Sequence, residues 1–220
     1  MLEIKNRKIS IIGAVRSGLG AAKLGKHLGA IPFVSDAGSE EKLKSSIEIL
    51  RKEKIDFEIT QHTEKVFDCD LMVVSPGVPS NAEVIKIARS KNIKIISELE
   101  FASSFCNANV IGITGTNGKT TTTSLCNYLF NECGVKSYSA GNIGLAFSEI
   151  ASEAKENEFV SLEISSFQLD LIDQFKPKVA MILNITPDHL NRYENSVEQY
   201  ALSKLKVFEN QDEKDFLILN

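Results

Sequence analysis

The sequence predicts an α/β protein built from two open, largely parallel sheets in tandem. Three observations carry that prediction. Short apolar, β-branched runs alternate with longer stretches of helical period along the whole chain. Twice, at Gly13 and at Gly115, such a run opens into a glycine-bearing turn and then a helix. The strand-loop-helix cycle restarts after Ser97 with no low-complexity linker, which divides the chain into residues 1–97 and 98–220.

Bulk properties fit that class. A chain of 220 residues, 43% hydrophobic and 25% charged, can bury a substantial core. The net charge of −4 leaves no basic footprint, so no nucleic-acid partner is expected. No apolar run reaches the length of a membrane span, and the polar start Met1 to Lys8 is not a signal peptide. Cys69, Cys106, Cys126 and Cys133 lack paired metal spacing and read as reduced, mostly buried thiols of a cytoplasmic protein.

In the first unit, Ile9 to Ile12 is a buried strand, and a helix follows the Gly13–Gly18 turn until Gly29 ends it. Ile31 to Ser35 is the next strand, with Asp36 at its tip. A dinucleotide fingerprint needs glycine where Val15 stands, because a valine side chain hinders close approach of a pyrophosphate. A different nucleotide or a diphosphate is therefore the better expectation. Asp36 is then either a ribose or base contact or a solvated turn acid. A helix is expected over 39–52, then strands near Phe57 to Ile59 and Asp70 to Ser75. The rigid Pro76-Gly77-Val78-Pro79 turn brings backbone to the sheet's C-terminal edge. Asn81 can cap the next helix, and Ile93 to Ile96 is the last strand of this unit.

The second unit opens on a phosphate-loop pattern. The run Asn109 to Ile113 leads into Thr114-Gly115-Thr116-Asn117-Gly118-Lys119-Thr120-Thr121. Backbone N–H groups at such a helix start face phosphate oxygens, and the helix dipole adds positive potential. Lys119 can reach the outer phosphates, and the Thr120 hydroxyl can bind Mg²⁺. Ile113 stands where the common form of the loop has its first glycine. The helix should run from Lys119 to Cys133, with Leu125, Leu129 and Phe130 on its apolar face and Gly134 as its stop. A strand over 135–139 leads to Gly141-Asn142-Ile143-Gly144, where Asn142 is either an amide donor or a turn former.

Strand alternation in Phe159 to Ser165 puts Glu163 near a C-terminal strand end. There it can hold Mg²⁺ against phosphates, unless the strand lies at the surface. Val179 to Leu183 is apolar throughout, as in a strand covered on both faces, and opens into Asn184 to Tyr193. Asp188 and His189 thus emerge at the same edge, whereas His27 and His62 have no such context and default to the surface. Ser196 and Gln199 have capping-box spacing, and the helix that follows places Lys204 with its apolar stripe. That lysine either snorkels or points into a site. Phe216 to Leu219 is a closing strand.

Thr114 to Thr120 resembles the nucleotide loop of the ATP-dependent Mur ligases of peptidoglycan synthesis. Leu162 to Leu169, Asn184 to Tyr193, and Ala201-Leu202-Ser203-Lys204-Leu205 continue the resemblance in order. The Ser-Ser-Phe-Gln-Leu stretch is most similar to the D-glutamate-adding branch, more than to other Mur ligases or to folylpolyglutamate synthase. The resemblance implies a Rossmann-like first domain that binds the UDP of UDP-MurNAc-L-alanine. Arg16, Ser17, Asp36, Gly77, Asn142 and Ser165 fall at its substrate-binding positions. It implies an ATPase second domain in which Gly115 to Thr121 bind ATP, with Lys119 on the phosphates. Thr120 and Glu163 would hold one Mg²⁺, and His189 and a carbamylated Lys204 a second. Lys119, His189 and Lys204 would be the catalytic set. The implied reaction makes an acyl phosphate, which D-glutamate converts to an amide.

Val15, and Asn191 where the family usually has an acid, depart from the pattern. The family also has a C-terminal domain that binds D-glutamate, so the chain is expected to be a fragment or a shortened product, inactive alone. The alternatives are a non-catalytic nucleotide- or UDP-sugar-binding protein and another phosphate-loop amide ligase.

Overall fold

The computed structural model describes residues 2–220 and contains two five-stranded sheets, every strand pair parallel. The first unit runs β1 (Lys8–Ile12), α1 (Arg16–His27), β2 (Ile31–Asp36), α2 (Lys44–Lys52), β3 (Asp56–Ile59), β4 (Leu71–Val74), α3 (Glu83–Ser90) and β5 (Lys94–Ser97). Its sheet order is β3-β2-β1-β4-β5. After α4 (Glu98–Ser103), the second unit runs β6 (Asn109–Thr114), α5 (Lys119–Glu132), β7 (Ser137–Gly141), α6 (Phe147–Ile150), β8 (Phe159–Glu163), α7 (Ser166–Leu169), β9 (Val179–Ile182), α8 (Val197–Leu205) and β10 (Phe216–Leu219). Its order is β10-β9-β6-β8-β7, with the phosphate-loop strand β6 in the centre. In both sheets the chain reverses winding direction beside the central strand. The loops that leave β1 and β4, and those that leave β6, β8 and β9, therefore meet at crevices over the C-terminal strand ends.

Several elements differ from expectation. The helix expected over 39–52 begins at Lys44, since residues 40–43 form turns anchored by the bond from Leu43 N–H to the Ser39 carbonyl. Asn81 does not cap α3: Ala82 N–H donates to the Pro79 carbonyl, which leaves Asn81 inside that turn and Ala82 at the cap. The strand expected over 135–139 starts at Ser137, because Val135 N–H still bonds to Phe130 O across the end of α5. Thr123 is the buried residue of α5, and Leu125 and Leu129 are about half exposed instead of buried. Phe130 alone of the three stacks inward, on Phe159 at 4.3 Å. Three cysteines are half-buried and Cys133 is exposed, so the thiols are less buried than expected. In β9, Val179 and Met181 are only half-buried.

The helix α4 is not among the elements expected from the sequence, and it joins the two units. Ser97 caps it, accepting from Glu100 N–H. Glu98 is buried and accepts from both the N–H and the hydroxyl of Ser148, at 2.8 and 2.6 Å. Burial pushes its carboxyl above the usual range, against those bonds and the charge of Arg16. Glu100 accepts from the backbone N–H groups of Asp173, Gln174 and Phe175. One hydrophobic cluster runs through this junction, from Ile9 and Leu24 through Phe101 to Phe147 and Val160. A smaller one, with Ile12, Met72 and Ile85, covers the other face of the first sheet.

Candidate active site

Local backbone chemistry shapes the loop after β6. Gly115 (φ +151°) and Gly118 (φ +84°) occupy the left-handed region that favours glycine, and Gly118 is the residue from which α5 starts. Ile113, the departure from the common pattern, is fully buried in β6 and plays no part in the turn. Asn184, at the end of β9, pins the loop: its Oδ1 accepts from Asn117 N–H at 2.9 Å, and its Nδ2 donates to the Asn117 carbonyl at 3.0 Å. Thr116 is fixed from the same segment, through Thr186 and a contact with the Tyr200 hydroxyl. Lys119 Nζ donates to the Gly115 and Thr116 carbonyls at 3.0 and 2.8 Å. Thr121, one residue further along α5, is exposed.

Glu163 closes one side of this loop. It is buried at the end of β8, which rules out the surface-strand alternative. Its Oε2 accepts from the Thr120 hydroxyl at 2.8 Å, and its Oε1 accepts from the Asn142 amide at 3.0 Å. Two oxygen donors, Thr120 Oγ1 and Glu163 Oε2, thus lie side by side, a ligand type that suits Mg²⁺.

Lys204 does not snorkel. It is 1% exposed, its Nζ donates to the Gly115 carbonyl at 2.8 Å, and it lies 4.6 Å from the Tyr200 ring centroid. Burial, and then the charge of Lys119, lower its pKa to about 8, with Asp188 opposing. One carbonyl, that of Gly115, therefore receives two lysines. His189 lies further out. It has φ +50° and a 58% exposed side chain, 3.7 Å from Asp188 Oδ2 and edge-on to Phe167. Among the described residues, no three His, Cys, Asp or Glu side chains converge as a metal cluster. Asn191 sits in the adjoining 3₁₀ turn, Leu190–Arg192. The Ser196 hydroxyl accepts from Gln199 N–H, but Gln199 reaches Glu194 and not Ser196, so only half of the expected capping box forms.

A cleft of about 570 Å³ lies between the two sheet edges, lined by Arg16, Ser17, Asp36, Gly77 and Asn142 among others. Val15 stands 63% exposed at this cleft. Asp36 uses both carboxylate oxygens on backbone, accepting from Ala14 N–H and Gly38 N–H at 2.7 Å each. His62 is not a plain surface residue: its Nδ1 is 2.7 Å from Ser35 Oγ, and burial lowers its pKa. Ser165 is buried, and its N–H donates to Gln168 Oε1. Gln168, which is not among the site residues expected from the sequence, lines the cleft together with Ser75. Its spacing from the Ser165 cap was the available signal. Arg16 spends three hydrogen bonds on carbonyls of the second unit: Gly144 at 2.8 Å, Asn142 at 2.9 Å and Gly141 at 3.1 Å.

Comparison with known proteins gives the following similarities. A family model described as the Mur ligase middle domain matches residues 113–220, and one described as the MurD N-terminal domain matches residues 8–84. The chain is 45% identical over 222 residues to UDP-N-acetylmuramoylalanine–D-glutamate ligase of Chloroherpeton thalassium, covering 99% of this chain and 47% of that protein. It is 46% identical over 214 residues to the protein of the same name from Christiangramia forsetii, covering 96% and 47%. The chain thus spans about half the length of the curated relatives it matches. The fold is similar to that of UDP-N-acetylmuramate-alanine ligase MurC from Thermotoga maritima, with a TM-score of 0.59 and 23% identity over 97% of this chain and 49% of that one.

Proposed function

The chain belongs to the Mur ligase family, and from that membership we propose that it carries the UDP-sugar-binding and ATP-binding parts of a ligase that adds D-glutamate to UDP-N-acetylmuramoyl-L-alanine. Residues 1–97 would bind the nucleotide sugar and 98–220 the ATP. The observation that carries this reading is the unbroken contact from Thr120 through Glu163 to Asn142, which joins the phosphate loop to the cleft between the units.

ATP supplies the phosphoryl group that turns the substrate carboxylate into an acyl phosphate, which the D-glutamate amine opens to an amide. The protein's part is to bind and orient. The N–H groups from Gly115 to Thr121 and the dipole of α5 favour the phosphates. Lys119 exchanges the Gly115 and Thr116 carbonyls for phosphate oxygens and offsets their charge. Thr120 and Glu163 would hold one Mg²⁺, and His189 and carbamylated Lys204 a second. A lysine with a pKa of about 8 keeps an appreciable share of neutral amine near pH 7, which is the form that adds CO₂ and releases a proton. The cleft lined by Gly13, Ser17, Asp36, Gly77, Asn142 and Gln168 would take the UDP-sugar, and Asn142 reaches from it to Glu163.

Calorimetric titration tests the reading. Wild-type chain should bind both Mg·ATP and UDP-MurNAc-L-alanine, and Lys119→Ala should abolish Mg·ATP binding while UDP-sugar binding persists. Unchanged nucleotide binding in Lys119→Ala rejects the phosphate-loop assignment. Phosphate release stimulated by another amino acid in place of D-glutamate rejects the substrate assignment.

A further inference from the structure

We infer that Arg16 is a positioning residue that reaches across the two units and sets the Asn142–Glu163 arm of the phosphate site, instead of binding the nucleotide sugar itself. The inference rests on the proposed ligase reading for its consequence, but its geometric part stands alone.

Arg16 is the first residue of α1, directly behind the Gly13 turn. Its guanidinium is committed: Nη1 donates to Gly144 O, and Nη2 donates to both Gly141 O and Asn142 O. The planar fork of arginine suits such convergent acceptors, and a lysine could not span them. These carbonyls belong to the turn between β7 and α6, which closes on itself through Gly141 N–H to Leu145 O. The opposite side of that turn is bound to Glu163. Asn142 N–H donates to Glu163 O at 3.0 Å, and Asn142 Nδ2 donates to Glu163 Oε1 at 3.0 Å. At Gly141 (φ +101°) the backbone is so close that an added Cβ would lie 2.3 Å from Glu163 O. Glu163 Oε2 in turn accepts from Thr120. A continuous chain of hydrogen bonds therefore runs from the glycine turn of the first unit, through Arg16, Asn142 and Glu163, to Thr120 of the phosphate loop.

Other contacts hold the units together independently. Ser97 N–H donates to Leu171 O, Lys94 pairs with Asp173 at 3.1 Å, and one hydrophobic cluster runs from Leu24 to Phe147. Loss of Arg16 should therefore release the turn without separating the units. Asn142 would then be free to leave Glu163, and the carboxylate would lose the contact that orients its second oxygen. Arg16 also lines the cleft proposed for the UDP-sugar. Ligand seated beside Ser17 would stiffen the strap, so nucleotide-sugar and Mg·ATP should each strengthen binding of the other.

Two measurements on Arg16→Ala test this. The first is hydrogen exchange of the ligand-free chain, read by mass spectrometry. Peptides covering 141–145 should exchange about tenfold faster than in wild type, with α1 and β6 unchanged. Equal protection of 141–145 in both proteins overturns the strap. The second is calorimetry with each ligand alone and with the other saturating. Wild type should show mutual enhancement, and Arg16→Ala should lose it, with weaker Mg·ATP binding and UDP-MurNAc-L-alanine affinity within twofold. A tenfold loss of UDP-sugar affinity with unchanged Mg·ATP affinity would show that Arg16 is a direct ligand and overturn the inference. A lowered melting temperature with both affinities and the enhancement intact would reduce Arg16 to a stabilising contact, which also overturns it. If wild type binds neither ligand, the ligase reading fails, and the exchange result still decides whether Arg16 holds the turn.

Discussion

Replacing Lys204 by methionine should stabilise the chain at neutral pH, and the gain should vanish in alkali. The side chain is almost wholly buried, and its pKa is lowered from the usual 10.5 to about 8, first by burial and then by Lys119. A lowered lysine pKa means that the folded state disfavours the ammonium. Below pH 8 both folded and unfolded chains carry the proton, and the folded chain bears the full cost of that charge. Between pH 8 and 10.5 the unfolded chain binds more protons than the folded one, so wild-type stability rises with pH. The interval corresponds to about 3 kcal/mol. Methionine has similar length and does not titrate. The Gly115 carbonyl that Lys204 leaves still receives Lys119 at 3.0 Å, so no orphaned acceptor offsets the gain. Urea unfolding of both proteins at pH 7, 8, 9 and 10, in buffers freed of CO₂ to keep the amine unmodified, reads the difference directly. Lys204→Met should be the more stable at pH 7, and its advantage should shrink by about 3 kcal/mol as the pH passes from 8 to 10.5. Lysines remote from Lys204 titrate alike in both proteins and cancel. A less stable variant at pH 7, or a difference that does not change with pH, refutes the burial argument.

Three further outcomes follow from the geometry. Gly141→Ala combines a positive φ with a Cβ 2.3 Å from the Glu163 carbonyl, so chemical denaturation should show a loss of at least about 3 kcal/mol; a loss under 1 kcal/mol would mean that β7 and β8 can separate freely. Glu100→Ala leaves the buried amide of Phe175 and its two neighbours without their carboxylate, and should cost about 3 kcal/mol by the same measurement, against no effect if water replaces it. Glu163→Gln should cut the Mg²⁺-dependent part of ATP affinity about tenfold while leaving affinity in EDTA unchanged; equal loss in both conditions would assign Glu163 to folding of the loop and not to the metal.

What the sequence disclosed was local chemistry. The phosphate loop was legible because glycine, lysine and threonine do their work within a few residues of one another. Glu163 was legible because strand alternation fixes the face, and an apolar sheet fixes what that face meets. Lys204 was half legible: helical period placed it with Tyr200 and Leu205, but only the fold shows that this stripe meets Gly115. The misses have a common cause. Asn81 and Gln199 carry the right residue types for caps, yet a turn at Pro79 takes up the first and the carboxylate of Glu194 the side chain of the second. Leu125 and Leu129 have helical spacing, but the buried position of α5 is Thr123. Glu98, Glu100 and the contacts of Arg16 join residues about 50, 75 and 125 positions apart, for which a single sequence offers no period or motif.

The phosphate loop also explains why stability is given up at this point of the fold. Lys119 and Lys204 both donate to Gly115 O, and the repulsion between them is one cause of the lowered pKa of Lys204. A fold selected for stability alone would place an apolar side chain at position 204. What the arrangement retains is positive charge held in place before any anion arrives. Lys119 is tethered to its own loop by carbonyls that a phosphate oxygen can replace, and Lys204 lies behind it as a buried amine whose charged form the neighbouring ammonium disfavours. An anion drawn to the start of α5 would meet donors that need little reorganisation, which is the condition under which electrostatic stabilisation of a developing charge is largest. The cost in folding energy and the proposed readiness of Lys119 for phosphate and of Lys204 for carbamylation thus trace to one pair of lysines on one carbonyl.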